Sequence, residues 1–158
     1  MTTKEYLNQL RKLTFMVDAK FEELYRLRTL ACRVTVSTEG IRVKSSSDPD
    51  RMAEAVEKII KCEEELNVLI RRTINQRTQI IEMIDSLDNP SSHKILTLRY
   101  VQELSDKEIA AKMNIVPSNV YKIQKVALRE FEDRYGEKYL TKIDTVSPEY
   151  WKMGSKVE

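Results

Sequence analysis

Lys122, Lys125 and Arg129 recur at steps of three and four residues, and Ser118 precedes Lys122 by four. On a helix turning about 100° per residue these four side chains share one face. Asn119 and Tyr121 flank that face, and Val120, Ile123, Ala127 and Phe131 fall on the opposite one. One side is a core stripe. The other offers hydroxyl, amide and cationic donors, the set that clamps phosphates and reads base edges in a DNA major groove. From Lys112 to Arg129 the chain carries Lys112, Lys122, Lys125 and Arg129 and no acid, although it holds 25 Asp and Glu in all. Pro117, Ser118, Asn119, Tyr121, Lys122, Lys125, Arg129 and Lys112 are therefore the candidate DNA-binding residues.

Other chemistry lacks its residues. There is no glycine-rich phosphate loop, no Cys–His pair and no carboxylate pair beside a base. Cys32 and Cys62 have no metal-ligand spacing, and His93 is the sole histidine. The expectation is no enzyme activity, no cofactor and no metal. Glu63-Glu64-Glu65 reads as a solvated helix face.

Such a helix must be held by others. Ser105-Asp106-Lys107-Glu108 has the form of a capping box, which starts a helix over 106–113. Ala110 is small enough for a close helix crossing. Asn114 stands four residues later, and asparagine tolerates the left-handed backbone that a tight turn needs. The spacing predicts a turn over Asn114-Ile115-Val116 and a recognition helix from Pro117 to Arg134. Ile109, Ile115, Val120 and Ile123 supply the shared core. A further helix is expected over 92–103, capped by Ser91 or Ser92. Asp88-Asn89-Pro90 stops whatever precedes it, because proline cannot occupy a helix interior.

Upstream, the pattern is of long helices. The chain has only three glycines and four prolines and is 33% charged, a composition that favours helix throughout. Tyr6, Leu10, Leu13, Val17, Leu24, Leu27 and Ala31 follow heptad spacing, interrupted at Lys20, and predict a helix over 3–33 capped by Thr2 or Thr3. Residues 34–50 contain Gly40, four serines and Asp48-Pro49 and read as a mobile loop, with Val34/Val36 and Ile41/Val43 able to form a short hairpin. A second long helix is expected over 49–87. Its positions 52 to 87 step by four and three, and eight of the eleven are apolar. The two helices suit an antiparallel pair or, alternatively, a parallel dimeric coiled coil. Either way one seam is buried and a second chain is expected to cover the remaining apolar face, the alternative being a monomeric hairpin folded onto the C-terminal domain.

The segment LTLRYVQELSDKEIAAKMNIVPSNVYKIQKVAL resembles the region-four helix-turn-helix of bacterial sigma factors. The longer pattern, through RMAEAVEKIIKCEEELNVLI and IEMIDSLDNP, resembles a group of phage and prophage transcription regulators of the ArpU-like and RinA-like kind. The resemblance covers roughly residues 20–132. It implies a sequence-specific regulator of double-stranded DNA, encoded by a phage or prophage. One position departs from it: that group places Ser or Thr just before the recognition helix, and this chain has Val116. Losing that cap costs about 1 kcal/mol, which Pro117 in the first turn offsets in part.

The fold expected is all-α: a coiled-coil-like pair of long helices over 1–89, a helix-turn-helix domain over 90–135 and a tail over 136–158. The tail carries Tyr139, Leu140, Ile143, Tyr150 and Trp151, which either pack on the domain or stay disordered. Expected partners are double-stranded DNA, a second copy forming a homodimer, and RNA polymerase. No membrane is expected, since no apolar run approaches the ~20 residues of a spanning helix. With no secretory leader, the expected location is the bacterial cytoplasm. Two alternatives stay open, a small terminase subunit of DNA packaging and a sigma-like factor docking on polymerase.

Overall fold

A computed structural model describes residues 1–39 and 49–140. The fold is all-α. In order come α1 (Thr3–Glu39), α2 (Pro49–Asp85), α3 (Pro90–Leu96), a π turn (Thr97–Val101), α4 (Asp106–Met113) and α5 (Pro117–Leu140). Among the described residues no helix is long and apolar enough to cross a membrane.

Thr2, not Thr3, opens α1. The Thr2 hydroxyl accepts from the Glu5 N–H at 3.3 Å, and the Thr2 N–H donates to the Glu5 carboxylate at 2.8 Å. The two orphan donors are thus satisfied reciprocally. Helix α1 then runs to Glu39, so the loop and hairpin expected from residue 34 do not begin there. Residues 40–48 of that loop lie outside the described residues, as do 141–158 of the expected tail.

The chain divides into two compact units. One is Arg11–Gln76, an antiparallel pair formed by α1 and α2. Its sense follows from ion pairs: Lys20 meets Glu65 at 2.5 Å, and Arg28, further along α1, meets Glu63, earlier along α2. Leu24, Cys62 and Leu66 are buried between the helices, with Val17, Leu27, Ile59 and Ile70 packed around them. These are heptad positions, apart from Cys62. Lys20, which interrupts the α1 stripe, bridges Glu23 at 2.8 Å and Glu65. Burial opposes its charge, but the hydrogen bonds to Glu23 and Glu65 outweigh it and raise the lysine above its ordinary range. Both thiols are free, Cys32 exposed and Cys62 buried.

The other unit joins Met1–Leu10 to the described residues from Arg77 onward. Its core unites Tyr6, Leu7 and Leu10 of α1, Ile80 and Ile84 of the end of α2, Leu87 just beyond it, and Ile95, Leu96, Ile109, Val120, Ala127 and Phe131. The compact division therefore falls at Gln76/Arg77 rather than at Pro90. Helix α2 ends at Asp85, two residues short of the expected 87, and Pro90 opens α3 rather than closing α2; the last turns of α2 bury their apolar face against the short helices that follow.

Asn89 caps α3. Its side chain accepts from the Ser91 N–H at 3.0 Å, with Pro90 in the first turn. Ser91 and Ser92, expected as caps, lie inside the helix, and Ser92 is buried. The helix expected over 92–103 instead ends in the π turn, closed by the Gln102 N–H on the Thr97 carbonyl at 3.0 Å. The chain leaves through Glu103, a non-glycine residue at φ 56°.

Candidate nucleic-acid interface

Helix α4 is set at both ends by its own sequence. Ser105 accepts from the Glu108 N–H at 3.5 Å, while the Ser105 N–H donates to the Glu108 carboxylate at 2.8 Å. The Ser105 backbone N–H, joined by its hydroxyl, holds the Glu108 carboxyl below the usual glutamate range. At the far end Asn114 adopts φ 52°, ψ 45°, the left-handed conformation expected of it. The following Ile115 N–H returns to the Ala110 carbonyl at 3.0 Å, so the orphan carbonyls of α4 are met. Ala110 is buried where α4 and α5 approach.

Helix α5 begins at Pro117, as expected, and runs to Leu140, six residues past Arg134. Val116, standing where a capping Ser or Thr is usual in the resembling group, is exposed; its carbonyl accepts from the Asn119 N–H at 2.9 Å. Val120, Ala127 and Phe131 are buried as the spacing predicts. Ile123, expected with them, is only half-buried, and Gln124 is the buried residue instead, at 7% exposure.

Gln124 can be buried because its amide is satisfied. Its Nε2 donates to the Tyr100 hydroxyl at 3.1 Å, and its Oε1 accepts from Arg99 at 3.3 Å. Arg99 also pairs with Asp106, in the first turn of α4, at 2.5 Å. Burial pushes the Tyr100 phenol up, against the opposing hydrogen bond from Gln124. This chain of contacts fixes α5 against both the π turn and the start of α4. Sequence reasoning missed it, because a lone glutamine on a polar-rich helix gives no sign of its partners.

The opposite face of α5 is open. Pro117, Ser118, Asn119, Tyr121, Lys122, Lys125 and Arg129 are all exposed, Tyr121 at 70%. Ser118, Lys122, Lys125 and Arg129 form one stripe along three turns. Among the described residues Lys122, Lys125 and Arg129 have no ion-pair partner. Lys112, in the last turn of α4, is also exposed and donates to Gln102 at 3.3 Å. A groove lined by Asn89, Ser91, Ser92, Lys122, Ile123 and Val126 borders the stripe, with the Lys122 stem forming part of its wall. The surface can hydrogen-bond and neutralise anions over several turns without first breaking internal ion pairs. Among the described residues, no group of three His, Cys, Asp or Glu side chains is placed to hold a metal ion.

The residues past Arg134 anchor α5 from behind. Tyr135 and Tyr139 join Phe131 and Tyr6 in an aromatic cluster, and the Tyr135 hydroxyl bonds Ser86. The buried Thr3 hydroxyl donates to Glu132 at 2.5 Å and shares a 2.8 Å hydrogen bond with Tyr139.

A family model described as protein of unknown function (DUF1492) matches residues 42–132, more than half of the chain. No curated protein and no solved structure matches the chain.

Proposed function

The chain belongs to the DUF1492 family, and we propose that it is a sequence-specific, double-stranded DNA-binding transcription regulator of phage or prophage type. In this reading α4, the turn at Asn114 and α5 form a helix-turn-helix, and the first four turns of α5 enter the major groove. The observation that carries it is the exposed stripe Ser118–Lys122–Lys125–Arg129, opposite the buried Val120, Gln124, Ala127 and Phe131. An amphipathic surface helix would ordinarily intersperse acids among its cations. Here acids are missing from Lys112 to Arg129, and α5 is clamped on its other face by the Arg99–Gln124–Tyr100 contacts. A stripe whose cations Lys122, Lys125 and Arg129 have no ion-pair partner among the described residues suits phosphate positioning with base-edge readout.

Ser118, Asn119 and Tyr121 are assigned to base edges, and Lys122, Lys125, Arg129 and Lys112 to phosphates. The regulator works in the bacterial cytoplasm as a homodimer. A second copy covers part of the apolar surface of the long helices, where Phe21 and Tyr25 are exposed one turn apart. Two linked copies present two recognition helices, so the second half-site contact becomes intramolecular. A monomer in solution would leave that surface to RNA polymerase, and a large ring would favour a packaging protein of the small terminase kind.

The test is selection of bound duplexes from a random library, followed by titration of the enriched site across salt concentrations. A single enriched motif is expected. Lys122→Ala and Lys125→Ala should each flatten the log–log salt dependence by about 0.9 per lost phosphate contact without altering the helical content. Absence of any enriched motif, or an unchanged slope in the double variant, overturns the reading.

A further inference from the structure

Charge is segregated along the antiparallel pair Arg11–Gln76. Its acids Glu22, Glu23, Glu54, Glu57 and Glu63 to Glu65 lie toward one end. Five of these seven are paired there: Glu23 and Glu65 with Lys20, Glu63 with Arg28, Glu54 with Lys58 and Glu22 with Arg26. Toward the other end, α1 has no acid from Arg11 to Val17 and α2 has none from Leu66 to Gln76. These stretches hold Arg11, Lys12, Arg71 and Arg72, all exposed. Among the described residues none of the four has an ion-pair partner.

The register brings the four to one level. Lys20 meets Glu65. Eight residues back along α1 is Lys12, and seven residues on along α2 is Arg72. At about 1.5 Å rise per residue, both lie some 10–12 Å from that ion pair in the same direction. Asn67 and Asn75, one turn either side of Arg71, are also exposed and add neutral amide donors. Past Arg11, Asp18 is the first acid of α1, at the margin of this region.

We infer that Arg11, Lys12, Arg71 and Arg72 form a second nucleic-acid contact, a sequence-independent seat for the phosphodiester backbone of duplex DNA. Two neighbouring guanidinium groups offer forked donors that match phosphate oxygens. Amides on adjacent turns are common backbone-contacting groups. Four unpaired cations on one short segment repel each other, and a polyanion relieves that repulsion by releasing its own counterions. The site goes beyond the α5 reading and does not depend on it. It would hold DNA whose sequence α5 never reads, and would add affinity uniformly across sequences.

The experiment uses the full chain and a labelled duplex of random sequence, several helical turns long, titrated from about 50 to 200 mM salt. A variant carrying Arg11→Gln, Lys12→Gln, Arg71→Gln and Arg72→Gln should bind on the order of tenfold or more weaker at the low-salt end. Its salt slope should flatten by about 1.8 or more, the loss of at least two phosphate contacts. The charge-keeping variant Arg71→Lys/Arg72→Lys should retain most of the slope. Circular dichroism checks that helix content is kept; if the fourfold variant loses helix, Arg71→Gln/Arg72→Gln is compared with the lysine pair instead. Unchanged affinity and slope in the glutamine variant overturn the inference. So does a result in which the variant loses binding to polyglutamate but not to duplex, which would make this an acidic-protein surface. The Lys122→Ala/Lys125→Ala variant, run in parallel, reports on α5 alone, so failure of one contact is distinguishable from failure of the other.

Discussion

Tyr6 stacks on Tyr139 with ring centroids 4.5 Å apart and planes 12° from parallel. One residue lies in the second turn of the first helix and the other in the last turn of α5. The contact makes the start of the chain part of the unit that carries the candidate recognition helix. Both rings are almost fully buried, at 9% and 3% exposure. Burial also pushes the Tyr139 phenol up, with the hydrogen bond to Thr3 opposing it.

Tyr139→Ala should therefore destabilise the fold by about 3 kcal/mol, as large-to-small changes in a packed aromatic core do. A double-mutant cycle with Tyr6→Ala should return a coupling of about 1 kcal/mol. Urea denaturation followed by circular dichroism measures both. Additive losses would show that the stacking contributes nothing beyond area.

A fragment of residues 90–135 lacks Tyr6 and Leu7, and also Ile80, Ile84 and Leu87, all members of the same core. It has about 45 residues, near the lower limit for independent folding. It should show no cooperative unfolding transition, whereas the full chain should. A sharp thermal transition in the isolated fragment would contradict the shared core.

Gln124 and Tyr100 should behave as a pair. Gln124→Leu leaves the Tyr100 hydroxyl buried without its partner and should cost about 1–3 kcal/mol. Adding Tyr100→Phe removes the stranded hydroxyl, and the double variant should lose less than the sum of the single ones. Denaturation of the three variants decides this, and strict additivity would count against the contact.

Two left-handed residues predict opposite responses. Asn114 suits its φ of 52°, so Asn114→Gly should change stability by no more than about 0.5 kcal/mol, while Asn114→Val should cost about 1–2 kcal/mol. Glu103 at φ 56° has a backbone that favours glycine, and Glu103→Gly should stabilise by up to about 1 kcal/mol. Of the three variants, Glu103→Gly should melt highest, Asn114→Gly next and Asn114→Val lowest.

The capping box gives a pH dependence with a definite sign. Glu108 titrates below its ordinary value when folded, so its contribution is complete above the unfolded value of about 4.3 and is lost as pH falls through the folded one. Amide exchange in the first turn of α4 should accelerate over that acid limb. Glu108→Gln should remove the dependence, and Ser105→Ala should bring the carboxyl part of the way back up. An NMR titration that finds Glu108 at or above the ordinary value would contradict the box.

What the sequence determined by itself was set by local periodicity and local hydrogen bonding, although Asn89 rather than Ser91 or Ser92 caps α3 and the heptad positions Met52 and Val56 are exposed. Heptad steps marked Tyr6, Leu10, Leu24, Leu66, Ile80 and Ile84 as inward-facing, and they are buried. Ser105 and Glu108 fixed the start of α4, and Asn114 fixed its end, because each interaction closes within a few residues. The polar stripe of α5 was readable for the same reason. Only the tertiary structure decided where the compact units divide, that Gln124 rather than Ile123 is the buried residue of α5, and that α5 runs on to Leu140. Those outcomes rest on partners distant in sequence: Arg99 and Tyr100 for Gln124, and Thr3 and Tyr6 for Tyr139. A polar or aromatic side chain is buried when a distant group satisfies or packs against it, and that is a property of the assembled fold, not of the residue's own neighbourhood in the chain.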